Sequence, residues 1–565
     1  MDFKYEIAKA LSESCDALSI DEFLQLLEVP PEWAQAEYAL PCFQLAKVLR
    51  KAPPVIAQEL AQGFQAPACV EKVIAEKGYL NFNLNREVLA QQVLGSVLDA
   101  GEHYGATQQG GGRAICIDYS SINIAKPFGI HHLPTTAIGH SLGRIFSHIG
   151  YRSIGMNFLG DWGTQFGKMI TAYYKWGDKQ EIERSGVYGL MQLYVRFHDE
   201  AEHDASLEDE GRNWNRRIEE GDPRAMELFQ WFSKVTLQEV NAIYERLGVH
   251  FDDYNGESFF FNKVDPIIEL LQQRNLLVES DGAQVVDLEE YDMPPCIIRR
   301  TDGATLYATR DLAAALWRKE NYDFEKCLYV VAYQQTLHFR QWFKVAELMG
   351  WQWAGDLQHV PFGMVSMEDG SMSTRRGRVI WMQELLDKAC EKVLEIIEEK
   401  SPDLPDKEKT AQQIGIGAVL FSALYNNRIK DSTFSWENAL NFEGDSAPYV
   451  QYTHARCCSV LRRAEVGLEG ELDYGELGGD APQGVLKALA DFPQAVQEAA
   501  ARYEPFLVAR SVVALAKAYN KFYFECRIID GSEAQQRAKL ALTRACAQVI
   551  RTGLYLLGIE APERM

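Results

Sequence analysis

Between residues 19 and 64, "SIDEFLQLLEVPPEWAQAEYALPCFQLAKVLRKAPPVIAQELAQGF", apolar positions recur every three or four residues and prolines interrupt them. That is the rhythm of short amphipathic helices. Further on, "EKGYLNFNLN" alternates apolar and polar residues and predicts a strand. Residues 1–112 therefore read as an α+β module, closed by the glycine-rich loop "TQQGGGRA". The pattern then changes. "AICIDYS" is an apolar strand, followed by a polar turn and a helical period from about Leu133 to Ile149. "RSIGMNFLGDWGTQFGKMI" and "KCLYVVAYQQTLHFRQWFKVAELMG" each repeat the order strand, polar crossing, helix. Strands alternating with helices predict an α/β domain over 113–440, with a Rossmann-type parallel sheet that binds ligands at its strand carboxyl ends. The charge-dense run "HDEAEHDASLEDEGRNWNRRIEEGDPRAMELFQWF" predicts a helical insertion within about 170–255, one face in water. Residues 441–565 carry helical periodicity almost throughout and predict an all-α domain.

Composition narrows the class. A 565-residue chain that is 47% apolar and 24% charged is a multidomain globular protein. No apolar run is long enough to span a bilayer, and the N-terminal stretch "MDFKYEIAKALSESCDALS" lacks a signal-peptide block, so no membrane association and a cytoplasmic location are expected. The eleven cysteines stand singly apart from Cys457-Cys458, with no CxxC pair; free thiols and no metal site are expected. The net charge of −23 excludes a general polyanion binder. A nucleic-acid partner would need local basic patches.

Two stretches carry candidate chemistry. In "DYSSINIAKPFGIHHLPTTAIG", Pro127 ends the strand region, Gly129 is expected to permit a tight turn, and a helix then begins. A helix N-terminus above a sheet favours phosphate, with Lys126 adding charge and His131 or His132 able to donate to phosphoryl oxygens. A histidine at a helix start can equally be a cap or a packing residue. In "EDGSMSTRRGRVIWMQELL", a loop of hydroxyl residues and arginines feeds a helix; it reads as a basic loop that closes over a triphosphate, or as a solvated one.

Together these resemble the two signatures of class I aminoacyl-tRNA synthetases. The words "DYSSINIAKPF", "MNFLGDWGTQFGK", "GATLYATRDLAAAL", "FEGDSAPYVQYTHAR" and "LLGIEAPERM" resemble the arginyl-tRNA synthetase family along essentially the whole chain. The resemblance implies activation of L-arginine by ATP to arginyl-adenylate, with Mg2+ accompanying the ATP, then transfer to the terminal ribose of tRNA(Arg), usually by a monomer. It places Asp118, Asn123, Glu257, Tyr307, Asp311 and Gln335 at the arginine. Gly129, His132, Met372 and Ser373 would lie at ATP, and Lys126, His131, His132, Ser373, Arg375 and Arg376 at the transferring phosphate. Lys126 stands where the family compensates for a lysine missing from the mobile loop. Tyr307 and Asp311, four apart, would share a helix face. Tyr452, Arg456, Tyr523 and Met565 fall on anticodon-facing positions of a helical anticodon-binding domain, although the aromatics also suit a bundle core. The N-terminal module resembles the family's domain that contacts the outer corner of tRNA.

The chain departs from the family in both signatures. Gly129 stands for the first histidine of the His-x-Gly-His turn and His131 for its glycine. Pro134 replaces an arginine, Ile122 a proline, and Ser371 the lysine before Met372-Ser373. Two readings follow. One is a working arginine–tRNA ligase; the other is a catalytically impaired paralogue that binds tRNA or arginine in a regulatory or biosynthetic role.

Overall fold

The computed structural model describes residues 3–30, 36–301, 303–367 and 380–565. Ser371, Met372, Ser373, Arg375 and Arg376 lie outside the described residues. The chain divides into two compact units. One comprises Met1–Tyr104, Arg456–Asp491 and Ala514–Ile550; the other comprises Gly105–Ala455, Phe492–Val513 and Arg551–Met565.

In the first unit, strands Tyr38–Pro41, Tyr79–Leu84 and Val70–Glu76 form an antiparallel sheet in that spatial order, the expected strand lying in the middle. Ser19 starts the helix Ile20–Leu26 with a capping box, its hydroxyl accepting from Glu22 N while the Glu22 carboxylate accepts from Ser19 N. The N-terminal module does not stand by itself. Arg86 Nη1 donates to Gly478 O at 2.6 Å and the Tyr104 hydroxyl to Leu489 O at 3.0 Å, which ties it to the C-terminal helical segments of the same unit.

The second unit is built on a parallel sheet of four strands: β1 (Ala114–Asp118), β2 (Arg152–Met156), β3 (Lys326–Tyr329) and β4 (Leu357–His359), in the order β4-β3-β1-β2. All five residues of β1 are buried, as an inner parallel strand covered on both faces requires. The chain leaves β1 toward β2 on one side and returns through β3 on the other. The order therefore reverses between β1 and β3, and a cleft opens beyond their carboxyl ends. Helix α1 (Leu133–His148) follows β1, with Pro134 in its first turn, where a missing N–H is harmless. It comes so close to the strand end that a Cβ on Gly139 would lie 2.2 Å from the Tyr119 ring. Helices α2 (Thr164–Trp176), α3 (Tyr307–Tyr322) and α4 (Thr336–Leu348) complete the repeating pattern read from the sequence. Cys116, Met156, Leu312, Ala315, Trp342 and Val345 belong to the core around the sheet.

The insertion is helical, as expected. Phe166, Phe197, Phe229 and Phe232 form its core, and the helix Ser206–Glu219 buries only Leu207, Gly211 and Ile218. A three-stranded antiparallel sheet, Leu277–Ser280, Ala283–Val286 and Cys296–Arg299, was not apparent in the hydrophobic pattern. Four-residue strands are too short for alternation to register. Among the described residues, no helix is long and apolar enough to cross a membrane.

Candidate active site

The cleft beyond β1 and β3 holds a cavity of about 560 Å³. Asp118, Asn123, Lys126, Glu257, Tyr307, Asp311 and Gln335 all line it, brought together from across some 200 positions of chain. Asp118 ends β1, level with Tyr329 of β3 and Met156 of β2. Tyr307 and Asp311 are one turn apart at the start of α3, and Gln335 closes the short 3-10 turn before α4. Glu257 opens a short helix that Asp161 holds, its carboxylate accepting from Ser258 N at 2.8 Å and Ser258 Oγ at 2.6 Å.

The loop after β1 has an uncommon backbone. Ser120, Ser121 and Ala125 take φ of 68°, 42° and 60°, in the left-handed region that costs an L-residue about 1–2 kcal/mol. Buried hydrogen bonds hold Ser120 and Ala125 there. Ser120 N donates to Thr135 Oγ1 at 2.9 Å, and its hydroxyl lies 2.8 Å from Thr136 Oγ1 and 2.7 Å from the Tyr244 hydroxyl. Ala125 N donates to Thr236 Oγ1 at 3.1 Å. This clamp presents Asn123 and Lys126 to the cavity. By contrast, Gly129 adopts φ −96° and ψ 170°, an extended backbone, so the expectation that its conformational freedom permits a tight turn is corrected: the turn is made by the residues after it.

His131 and His132 form the 3-10 turn that leads into α1, with ring centroids 3.9 Å apart. Burial, then the charge of Lys126, lowers the pKa of His131; burial, then His131, holds His132 well below the usual range. Both are neutral at pH 7, able to donate or accept a hydrogen bond but not to carry charge. His132 is buried against Phe128, and its Nδ1 has no partner.

The sequence reading missed the groups that hold the three pocket carboxylates. Arg318, 4% exposed, lies 2.7 Å from Asp118 Oδ2, while Ser121 Oγ donates to Asp118 Oδ1 at 2.8 Å. Arg310 Nη1 donates to Glu257 Oε2 at 2.5 Å. His338 Nε2 is 2.6 Å from Asp311 Oδ2. Burial pushes the Asp118 carboxyl up against the pull of Arg318. For the guanidinium, burial is outweighed by Asp118, which keeps it firmly protonated, so we treat the pair as ionised. Burial lifts Glu257 to about 7 despite Arg310. One signal was available: Arg318 falls seven residues after Asp311, two helical turns along the same face of α3.

Elsewhere, Arg456 lies 4.8 Å above the Tyr523 ring and 5.4 Å from that of Phe524, and donates to Asn520 Oδ1. Tyr452 is 41% exposed, which sets aside the bundle-core alternative for it. Met565 packs onto the buried cluster of Val393, Ile397, Ala411 and Ile414. Among the described residues, no three His, Cys, Asp or Glu side chains are grouped to hold a metal ion.

Residues 93–436 match the family of class I (R) tRNA synthetase catalytic domains, residues 450–565 the DALR anticodon binding domain, and residues 1–84 the arginyl tRNA synthetase N terminal domain. Proteins named arginine–tRNA ligase from Alkaliphilus metalliredigens and Clostridioides difficile are each 50% identical over 564 residues, covering 100% of both chains. The arginyl-tRNA synthetase structure from Thermus thermophilus superposes with a TM-score of 0.79 at 26% identity, over 100% of this chain and 99% of that one.

Proposed function

The chain belongs to the arginyl-tRNA synthetase family, and from that premise we propose that the cavity beyond β1 and β3 is where arginine is activated and passed to tRNA. The reaction is that of an arginine–tRNA ligase. The arginine carboxylate attacks the α-phosphorus of ATP, pyrophosphate leaves, and a terminal ribose hydroxyl of tRNA(Arg) then displaces AMP to form the ester. ATP enters with Mg2+ on its phosphates, as substrate and companion ion.

Guanidinium is planar, permanently charged and offers five donors, so its site must supply carboxylates and neutral acceptors. Glu257 Oε2 and Asp311 Oδ2 are engaged within the chain, which leaves Glu257 Oε1 and Asp311 Oδ1 for the substrate. Both Asp118 oxygens are taken, so Asp118 contributes a shielded charge at the pocket floor. Asn123, Tyr307 and Gln335 complete the polar lining. Lys126, exposed at the rim, is the cation for the α-phosphate, and neutral His132 and His131 donate to phosphoryl oxygens as charge builds there. Ser373, Arg375 and Arg376 would approach from the loop, with Met372 beside the nucleotide. In the first unit, Tyr523 with Arg456 forms a stacking pair for an unpaired base of tRNA; in the second, Tyr452 and Met565 are each assigned to tRNA by the family resemblance.

The observation that carries this reading is the gathering of six arginine-site positions and Lys126 around one cavity. Purified protein given ATP, labelled arginine and tRNA is expected to form arginyl-tRNA. If label stays out of a tRNA that nonetheless binds, the ligase reading fails and the tRNA-binding paralogue remains.

A further inference from the structure

Each of the two carboxylates assigned to the substrate has one oxygen held by the chain and one left over. For Glu257 the holder is Arg310, 10% exposed and over the Tyr307 ring at 5.1 Å. For Asp311 it is His338, on the first turn of α4, 27 residues along the chain and on a different element. His338 itself lines the cavity. Its ring meets that of Phe339 edge-on at 5.6 Å, and Phe339 is in turn stacked on His359 at 4.3 Å. The imidazole is therefore backed by packing on one side and bonded to Asp311 on the other.

We propose that His338 is a positioning residue for arginine recognition: its Nε2 fixes Asp311 Oδ2 and thereby aims Oδ1 at the substrate guanidinium. The inference rests on the reading of this cavity as the arginine pocket. An aspartate on a helix can rotate about two side-chain torsions, and a guanidinium bonded in the plane of its carboxylate accepts few of the resulting orientations. Fixing one oxygen removes that freedom before the substrate arrives, so binding need not supply the ordering. The charged and titratable groups around the ring are Asp311, His359 and, through Asp311, Glu257. Arg310 and Arg318 are each committed to a different carboxylate, Glu257 and Asp118, so His338 is the side chain that holds Asp311.

The test uses full-length enzyme and three variants, with tRNA arginylation as the assay. In His338→Asn the amide stops short of Asp311. The arginine KM should rise about tenfold, the loss of one oriented charge-assisted bond, while kcat and the ATP KM stay within about twofold. In His338→Gln the amide nitrogen reaches the place of Nε2, and the arginine KM should return to near the wild-type value. An unchanged arginine KM in His338→Asn overturns the inference. So does a His338→Gln enzyme as impaired as His338→Asn with the ATP KM raised in step, because that pattern marks general structural damage. Asp311→Asn separates the two levels. If it raises the arginine KM while His338→Asn does not, positioning alone is refuted. If an active Asp311→Asn enzyme keeps the wild-type arginine KM, the pocket assignment falls and the inference with it.

Discussion

If Glu257 binds the substrate guanidinium as proposed, arginine recognition will depend on pH in a range where a surface carboxylate would be silent. Its carboxyl is buried, and removal from water raises its titration to about 7 although Arg310 lies beside it. At pH 8 about nine-tenths of the enzyme carries an ionised Glu257, and at pH 6 about one-tenth does. If only the ionised form binds guanidinium well, the arginine KM rises about tenfold between pH 8 and pH 6, roughly 1.4 kcal/mol, with the ATP KM little changed. In Glu257→Gln the arginine KM should be high throughout and flat across this range. Stability of the free enzyme moves the other way. A carboxyl whose folded pKa is raised contributes stability that is present in full below its unfolded value and is lost as pH rises through about 7. Glu257→Gln does not titrate here, so its thermal stability relative to wild type should be more favourable at pH 8 than at pH 5, whatever the constant cost of replacing the partner of Arg310. The measurements are steady-state arginylation with varied arginine at fixed saturating ATP and tRNA, and thermal denaturation without substrates. An arginine KM that is flat in the wild type, or that falls toward pH 6, would refute the burial argument.

Three further outcomes are expected. Arg318→Met strands the buried Asp118 carboxylate and should destabilise the second unit by about 3–5 kcal/mol, read as a lower denaturant midpoint, whereas pairing it with Asp118→Asn should recover part of the loss. Gly139→Ala drives a methyl into the Tyr119 ring and should cost about 1–3 kcal/mol in the same assay; a neutral result would contradict the close helix–strand approach. His131→Gly removes one of the two imidazoles assigned to the phosphoryl oxygens and should lower kcat for arginylation by about 10²-fold with the ATP KM changed much less, and an unchanged kcat would show that the ring gives no such help.

The sequence by itself determined the class of fold, and its family-like words nominated the residues of the proposed arginine site. The apolar run Ala114–Asp118 and the 3.6-residue period of Leu133–His148 and Thr336–Leu348 are properties of consecutive positions and survive in the linear text. Tyr307 and Asp311 were nominated by the resemblance; their spacing of four showed only that they share a helix face. Tertiary structure alone decided what each carboxylate is free to do. Asp118 meets Arg318 200 positions later and Glu257 meets Arg310 53 positions later, and no local period records such a meeting. It also decided that Gly129 takes ordinary extended backbone, whereas Ser120, Ser121 and Ala125 carry the strained backbone. Left-handed φ in Ser120 and Ala125 is held by hydroxyls of Thr135, Thr136, Thr236 and Tyr244, which become partners only once the helices pack. Pairing between distant segments depends on burial and on the removal of water, and both exist only in the folded chain.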